Sequence, residues 1–339
     1  MKAQFPSNLS SRGLILLKKF SKLKLMVAGD LVVDESIYGD TERISREAPV
    51  LILRYTHTQS TPGGAANAAN NAVDLGAQVY PLGVLGADEP GGKLLQYFKT
   101  KKVNVSGILT LPKRPTVVKC RIMAGAHHTA KQQVIRIDKI EDKEISRAAE
   151  TELIFRARTL APRMDALLIS DYHLGVMTEA LRRALLSIFE GKIITVDSRF
   201  NLGEYRGVSL MTPNLSEAGP AVGLEITNEA SLVKVGQSLR QKSEGHVIIT
   251  RGPQGMSLFD RKGKVTHLPV HGLDQPVDPT GAGDTVAATA TLALAAGADL
   301  TLAAALASVA AGLVVAKRGT ATTSLDEIQR ALKSDSLKP

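Results

Sequence analysis

The stretch "ALLISDYHLGVMTEALRRALLSIFEGKIITVDS", residues 166–198, decides the fold. An apolar run at 166–172 contains Asp171 near its end, an amphipathic segment follows at 178–189, and a second apolar run at 192–198 carries Asp197. Two short strands joined by a helix-length segment fit a parallel pair with a crossover helix, because a hairpin turn cannot make that connection. The same alternation recurs outward. "LKLMVAGD" (23–30), "VYPLGVLG" (79–86), "SLMTPN" (209–214) and "HVIITRG" (246–252) have strand character, and 65–75 and 230–242 have helical character. The pattern predicts an α/β fold, a doubly wound and mainly parallel sheet flanked by helices.

Residues 35–62 depart from it. "APVLILRYTHTQS" alternates like an exposed strand, with no helix before its neighbour. With "TVVKCRIM" (116–123) and "KQQVIRID" (131–138) it predicts a small β-sheet beside the main domain, usable as a lid. In parallel sheets ligands bind at the carboxyl ends of the strands, which singles out Asp30, Asp171, Asp197, Asn214, and Arg251 with Gly252.

Composition bounds the class. The chain has 339 residues, 44% of them hydrophobic, enough for a large core. A single cysteine, Cys120, excludes a disulfide framework and points to a reducing, cytoplasmic setting. The net charge of +9 comes largely from lysine clusters without interleaved aromatics, which argues for solvated surface and against a nucleic-acid groove. The apolar run at 14–17 is too short for a signal peptide or membrane span. The Ala-rich stretches 286–296 and 302–316 predict two buried helices, so no membrane partner is expected.

"DPTGAGDTVAATA" (278–290) sets a Gly-Ala-Gly turn against a helix. The small residues Gly281, Ala282 and Gly283 let backbone N–H groups approach an anion, and the helix dipole adds to the same point. An aspartate at the rim of a phosphate cradle repels phosphate, so Asp284 makes sense as an acceptor of the proton from an attacking hydroxyl, or else as a helix N-cap. In "STPGGAANAANNAVDLGA" (60–77), Gly63 and Gly64 precede a helix carrying Asn67, which suits a polyhydroxyl or phosphate-bearing ligand. In "TPNLSE" (212–217), Asn214 and Glu217 fit either a magnesium ion held through water or a capping pair. "GADEPGGKL" (86–94) is no P-loop, since that motif needs Gly at Ala87 and Ser or Thr at Leu94. The histidines show no metal-ligand spacing.

"PGGAANAA" and "DPTGAGDT", in this order and separation, resemble the two signatures of the ribokinase-like (PfkB) carbohydrate kinases, with "TPNLSE" and "TRGPQGMSL" between them. The opening "GDLVVDESIYGDTERISREAPVLIL", "SDY" (170–172) and "KRGTAT" (317–322) further resemble the D-glycero-β-D-manno-heptose 7-phosphate kinases, which occur alone or as the first domain of a bifunctional enzyme. The pattern departs at Leu174 and Arg199, where that subfamily usually has lysines, and in a longer loop at 124–133.

The resemblance implies ATP-dependent phosphorylation of a sugar phosphate at O1, feeding ADP-heptose and lipopolysaccharide core synthesis. Asp284 would be the general base and residues 281–283 the anion hole. Asp30, Asp34, Gly63, Gly64, Asn67, and from the lid Lys119, Arg121 and Gln133, would hold the sugar. Asn214 and Glu217 would organise Mg-ATP, Thr250, Arg251, Gly252 and Gly255 would lie near the nucleotide, and Asp278 near a monovalent cation such as potassium. It also implies a homodimer paired through the lid. The corresponding division is an N-terminal extension (1–22), a kinase domain (23–330) with lid segments near 35–62 and 114–138, and a tail (331–339), with no adenylyltransferase domain expected.

Overall fold

A computed structural model describes residues 4–272 and 277–334. From the amino end run α1 (Leu9–Phe20), β1 (Lys24–Gly29), β2 (Leu31–Ile44), β3 (Leu51–Gly64), α2 (Ala65–Asp74), β4 (Gln78–Gly86), α3 (Glu89–Thr100) and β5 (Ile108–Leu111). Next come β6 (Val117–Gly125), β7 (Gln132–Lys139), α4 (Arg147–Leu160), β8 (Ala166–Asp171), α5 (Glu179–Ile188), β9 (Ile193–Ser198), β10 (Leu210–Met211) and α6 (Leu215–Val222). The chain closes with α7 (Glu229–Ser243), β11 (His246–Thr250), β12 (Met256–Phe259), β13 (Val265–Leu268), α8 (Ala282–Ala295), α9 (Leu300–Val315) and α10 (Leu325–Lys333).

Among the described residues the main sheet has nine strands in the order β13-β12-β11-β10-β9-β8-β1-β4-β5. Strands β1, β4, β5 and β8 to β11 pair in parallel, and β12 and β13 add an antiparallel edge. The strand period of two explains why both faces are apolar. Leu25 and Val27 of β1 join Ala166 and Leu168 of β8 in a core with α1, α2, α8 and α9. Met26 and Ala28 join Leu167 and Ile169 in the opposite core with α4, α5 and α7. The six strands expected from the sequence are all in this sheet, and the Ala-rich stretches are the buried helices α8 and α9. No helix of the described residues is long and apolar enough to cross a membrane.

Two expected strands end early. The run 209–214 is strand only over Leu210–Met211, because Pro213 lacks an N–H and Asn214 already caps α6. The run 246–252 stops at Thr250, where Gly252 takes φ +56° and Pro253 follows. The rejected P-loop lies on α3, with Asp88 as the N-cap accepting from the Gly91 N–H at 3.0 Å.

The lid is a separate four-stranded sheet, order β3-β2-β6-β7. Its register places Asp34 of β2 opposite both Thr61 of β3 and Lys119 of β6. The segment 1–22 holds α1, whose Leu16, Leu17 and Phe20 are buried in the main core. Residues 331–333 of the expected tail complete α10, while 335–339 and 1–3 lie outside the described residues.

Candidate active site

Helix α8 begins at Ala282, with Gly281 as its N-cap at φ +81° and no side chain capping it. A Cβ at Gly281 would sit 2.7 Å from Asn67 Nδ2, so the turn needs glycine for both conformation and space. Asp284 therefore lies in the first turn of the helix and is not the N-cap. Its carboxylate points at two donors instead. Asn67 Nδ2 donates to Oδ2 at 2.7 Å and the Tyr172 hydroxyl donates to Oδ1 at 3.1 Å. Asn67 is fixed in turn by Asn71, whose Nδ2 donates to Asn67 Oδ1 at 3.2 Å and whose Oδ1 accepts from the Thr285 hydroxyl at 2.7 Å. Burial pushes the Asp284 carboxyl up to about 6, against the hydrogen bonds from Asn67 and Tyr172. A carboxylate so tuned is ionised at neutral pH and close enough in basicity to receive a proton.

A cleft of about 390 Å³ opens beside it, lined among others by Tyr172, Asp197, Arg199, Asn214, Glu217 and residues 281–283. Every one of these follows or ends a parallel strand or begins a helix, the expected place for a ligand. Burial, then the charges of Asp284 and Glu217, raise Asp197 well above the usual carboxylate value, and burial raises Glu217. Glu217 and Asn214 form a capping box at α6, with the Asn214 N–H donating to Glu217 Oε2 at 2.9 Å. Both still line the cleft, so capping and ligand binding are not exclusive. Asp197 and Glu217 bring two carboxyl groups into one cleft, a set of oxygen donors that fits a divalent cation held through water.

A second cavity of about 330 Å³ shares Thr250, Gly252, Pro279, Ala282 and Gly283 with the first. Its other walls are mainly apolar, including Met256, Val270, Val286 and Val315, which fits a flat heteroaromatic group next to the glycine turn.

The expected residues fall into two groups. Asn67, Asn214, Glu217, Thr250, Gly252, Gly255 and 281–284 converge on these cavities. Lys119 approaches from the lid, its Nζ 4.8 Å from the Tyr172 ring centre, and burial and then Arg199 lower its pKa. Asp34 receives Arg121 Nη1 at 2.8 Å and the Thr320 hydroxyl at 3.0 Å, and Gly63 leaves it room, since a Cβ there would meet Asp34 Oδ2 at 2.7 Å. Gly64, at φ +54°, passes against the Asp30 carbonyl.

Others are engaged elsewhere. Asp30 accepts the backbone N–H groups of Tyr172 (2.8 Å), Leu174 (3.2 Å) and Val176 (3.2 Å), so its carboxylate shapes the loop after β8. Arg251 turns away to Glu229, 2.9 Å off, and to the Ser257 hydroxyl at 3.1 Å. Gln133 is exposed on β7. Asp278 accepts from the N–H groups of Thr280 and Gly319, both at 2.9 Å. Burial acts to raise its pKa, but those hydrogen bonds outweigh it and keep Asp278 below the usual value, an anionic group suited to a monovalent cation.

Asp197, singled out in the sequence as a strand end, lines the cleft; Tyr172, which also lines it, had no role assigned from the sequence. Leu174, in place of a lysine, is buried with Val32 and Val117 rather than turned to the cleft.

A family model described as pfkB family carbohydrate kinase matches residues 22–328. The bifunctional protein HldE of Geobacter metallireducens is 43% identical over 310 residues, covering 90% of this chain and 62% of that protein. The protein of the same name from Geobacter sulfurreducens is 38% identical over 314 residues, covering 91% and 63%. The chain thus spans less than two thirds of the length of these relatives. In fold it resembles ribokinase of Arabidopsis thaliana complexed with ribose and ATP (TM-score 0.70, 18% identity, 92% of this chain and 99% of that one). It also resembles phosphofructokinase-2 of Escherichia coli in complex with potassium (TM-score 0.72, 19% identity, 91% and 98%).

Proposed function

Since the chain belongs to the pfkB family of carbohydrate kinases, we propose that it transfers the γ-phosphoryl group of ATP to O1 of D-glycero-β-D-manno-heptose 7-phosphate, giving the 1,7-bisphosphate for ADP-heptose formation. The observation that carries the reaction type is Asp284, in the first turn of a helix whose N-terminus no side chain caps, and addressed by Asn67 and Tyr172. The choice of acceptor is supported by the segment 29–53 and by the identity with the bifunctional proteins.

In this reading Asp284 takes the O1 proton as O1 attacks the γ-phosphorus, the bond to the bridging oxygen breaks, and ADP leaves. The N–H groups of 281–283 face the charge that develops on the transferred group. Asn67 holds Asp284 and the acceptor side of the cleft, with Asp34, Lys119 and Arg121 reaching in from the lid. The apolar cavity takes the adenine. Magnesium, organised by Asn214 and Glu217 through water, would neutralise phosphate charge, and Asp278 would hold a potassium ion near the turn. Arg199 keeps a positive charge at the cleft where the resembling subfamily has lysine.

The lid also supports a homodimer. Ile44, Leu51, Tyr55, Ile135 and Ile137 are each at least 50% exposed on its strands, an apolar surface fit for a second copy of this chain.

The test is ATP consumption with magnesium and potassium against the β-heptose 7-phosphate, its α anomer, ribose, fructose and fructose 6-phosphate. Turnover confined to the β-heptose phosphate is expected. Preference for an unphosphorylated sugar would overturn the acceptor, and silence across the panel would favour a non-catalytic sugar-binding protein of this fold.

A further inference from the structure

Tyr172 immediately follows β8, and contacts from several elements fix it. Its N–H donates to Asp30 Oδ2 at 2.8 Å. Lys119 Nζ and the Arg199 guanidinium carbon lie over its ring, 4.8 and 5.0 Å from the centre. The ring also packs on the small apolar cluster of Val32, Val117 and Leu174. Its hydroxyl, held in place by all of this, donates to Asp284 Oδ1 at 3.1 Å.

We propose that Tyr172 is a positioning residue for phosphoryl transfer, its hydroxyl fixing the plane of the Asp284 carboxylate together with Asn67 and favouring the ionised form of that base. One donor on each oxygen defines the carboxylate's orientation, whereas Asn67 alone leaves it free to rotate. This rests on Asp284 being the base. A donor to the charged form lowers an acid's pKa, so losing the hydroxyl raises it. Other charged groups around Asp284 act too. Asp34 of β2 raises its pKa, Lys119 of β6 lowers it, and Asp197 of β9 interacts with it as a second acid, while α2 presents the neutral Asn67 and Asn71.

The deciding variant is Tyr172→Phe, which keeps the ring between its neighbours. The Asp284 side-chain carboxyl, assigned by comparison with Asp284→Asn, is titrated by carbon NMR in the substrate-free protein. Its midpoint should move up by about one unit. The acid limb of the kcat profile should move by the same amount, with KM for ATP unchanged and activity recovering at high pH. A merely structural role would lower activity equally at every pH. Placing 3,5-difluorotyrosine at position 172 keeps the shape with a stronger donor, and should move the midpoint down, which decides the matter if Tyr172→Phe does not fold. A midpoint unmoved in the folded variants overturns the proposal. The titration needs no acceptor, so it is read separately from the substrate panel: silence across the panel overturns the reading on which this rests, whereas an unmoved midpoint alongside turnover overturns only the role of Tyr172.

Discussion

At the scale of single residues, Asp284 is the proposed base, and its burial carries a cost. Its carboxyl titrates near 3.8 when free and at about 6 in the fold, chiefly through burial. Between those values the folded chain binds the proton more tightly than the unfolded one, so this group's contribution to stability falls as pH rises from about 4 to about 6. Asp284→Asn removes that penalty. The variant should lose at least about 10³-fold in kcat, retain ATP binding, and melt higher than the parent at pH 7.5, with the difference vanishing below pH 4. Substantial residual turnover contradicts the role as base, and an unchanged melting temperature contradicts the burial argument. The aspartate, its turn and Asn67 were legible in the sequence because glycines before a helix have few other uses. Tyr172 was not, because its contact to Asp284 joins residues 112 apart in the chain. Asp30 shows the reverse limit: its place at the end of β1 was readable, but not that loop N–H groups occupy its carboxylate.

At the scale of elements, the turn into α8 depends on Gly281. Alanine there meets both a positive φ and Asn67, so Gly281→Ala should cost about 1–3 kcal/mol in thermal or denaturant unfolding. It should also depress kcat by displacing Asn67 from Asp284. Full activity and stability would mean that the turn tolerates a side chain. Helix α1 makes a second test. Its buried Leu9, Gly13, Leu16, Leu17 and Phe20 follow helical spacing that was present in the sequence, yet the lysines among them made the segment look like an extension. Phe20→Ala should destabilise by about 3–5 kcal/mol in denaturant unfolding, as a core residue and not as a tail. The parallel strands were legible because both faces are buried and their apolar runs are continuous. The edge strands β12 and β13 have four residues each and no crossover helix, so nothing in the periodicity separated them from loops.

At the scale of the whole molecule, the lid is a second sheet that reaches Tyr172 at the cleft through Lys119 and leaves apolar side chains exposed on its strands. Replacing Ile135 and Ile137 together with aspartate should convert a dimer to a monomer in sedimentation equilibrium, and a parent protein that is monomeric at every concentration contradicts that pairing. The lid's existence was legible from the loss of helix periodicity at 35–62. The resemblance named Lys119, Arg121 and Gln133 as the lid's side chains; Lys119 comes to Tyr172 and Arg121 to Asp34, but Gln133 is exposed, because the pairing of β2 with β6 across more than 80 residues sets Lys119 beside Asp34 while β7 lies one strand further out. The proposed function asks this architecture to perform one reaction, phosphoryl transfer to O1 of a heptose phosphate with Asp284 as base. The most direct measurement is phosphorus NMR of the product made from ATP and D-glycero-β-D-manno-heptose 7-phosphate. A new resonance coupled to the anomeric proton is expected with the parent chain and absent with Asp284→Asn. A phosphate at any other position, or product formed equally by both chains, would contradict it.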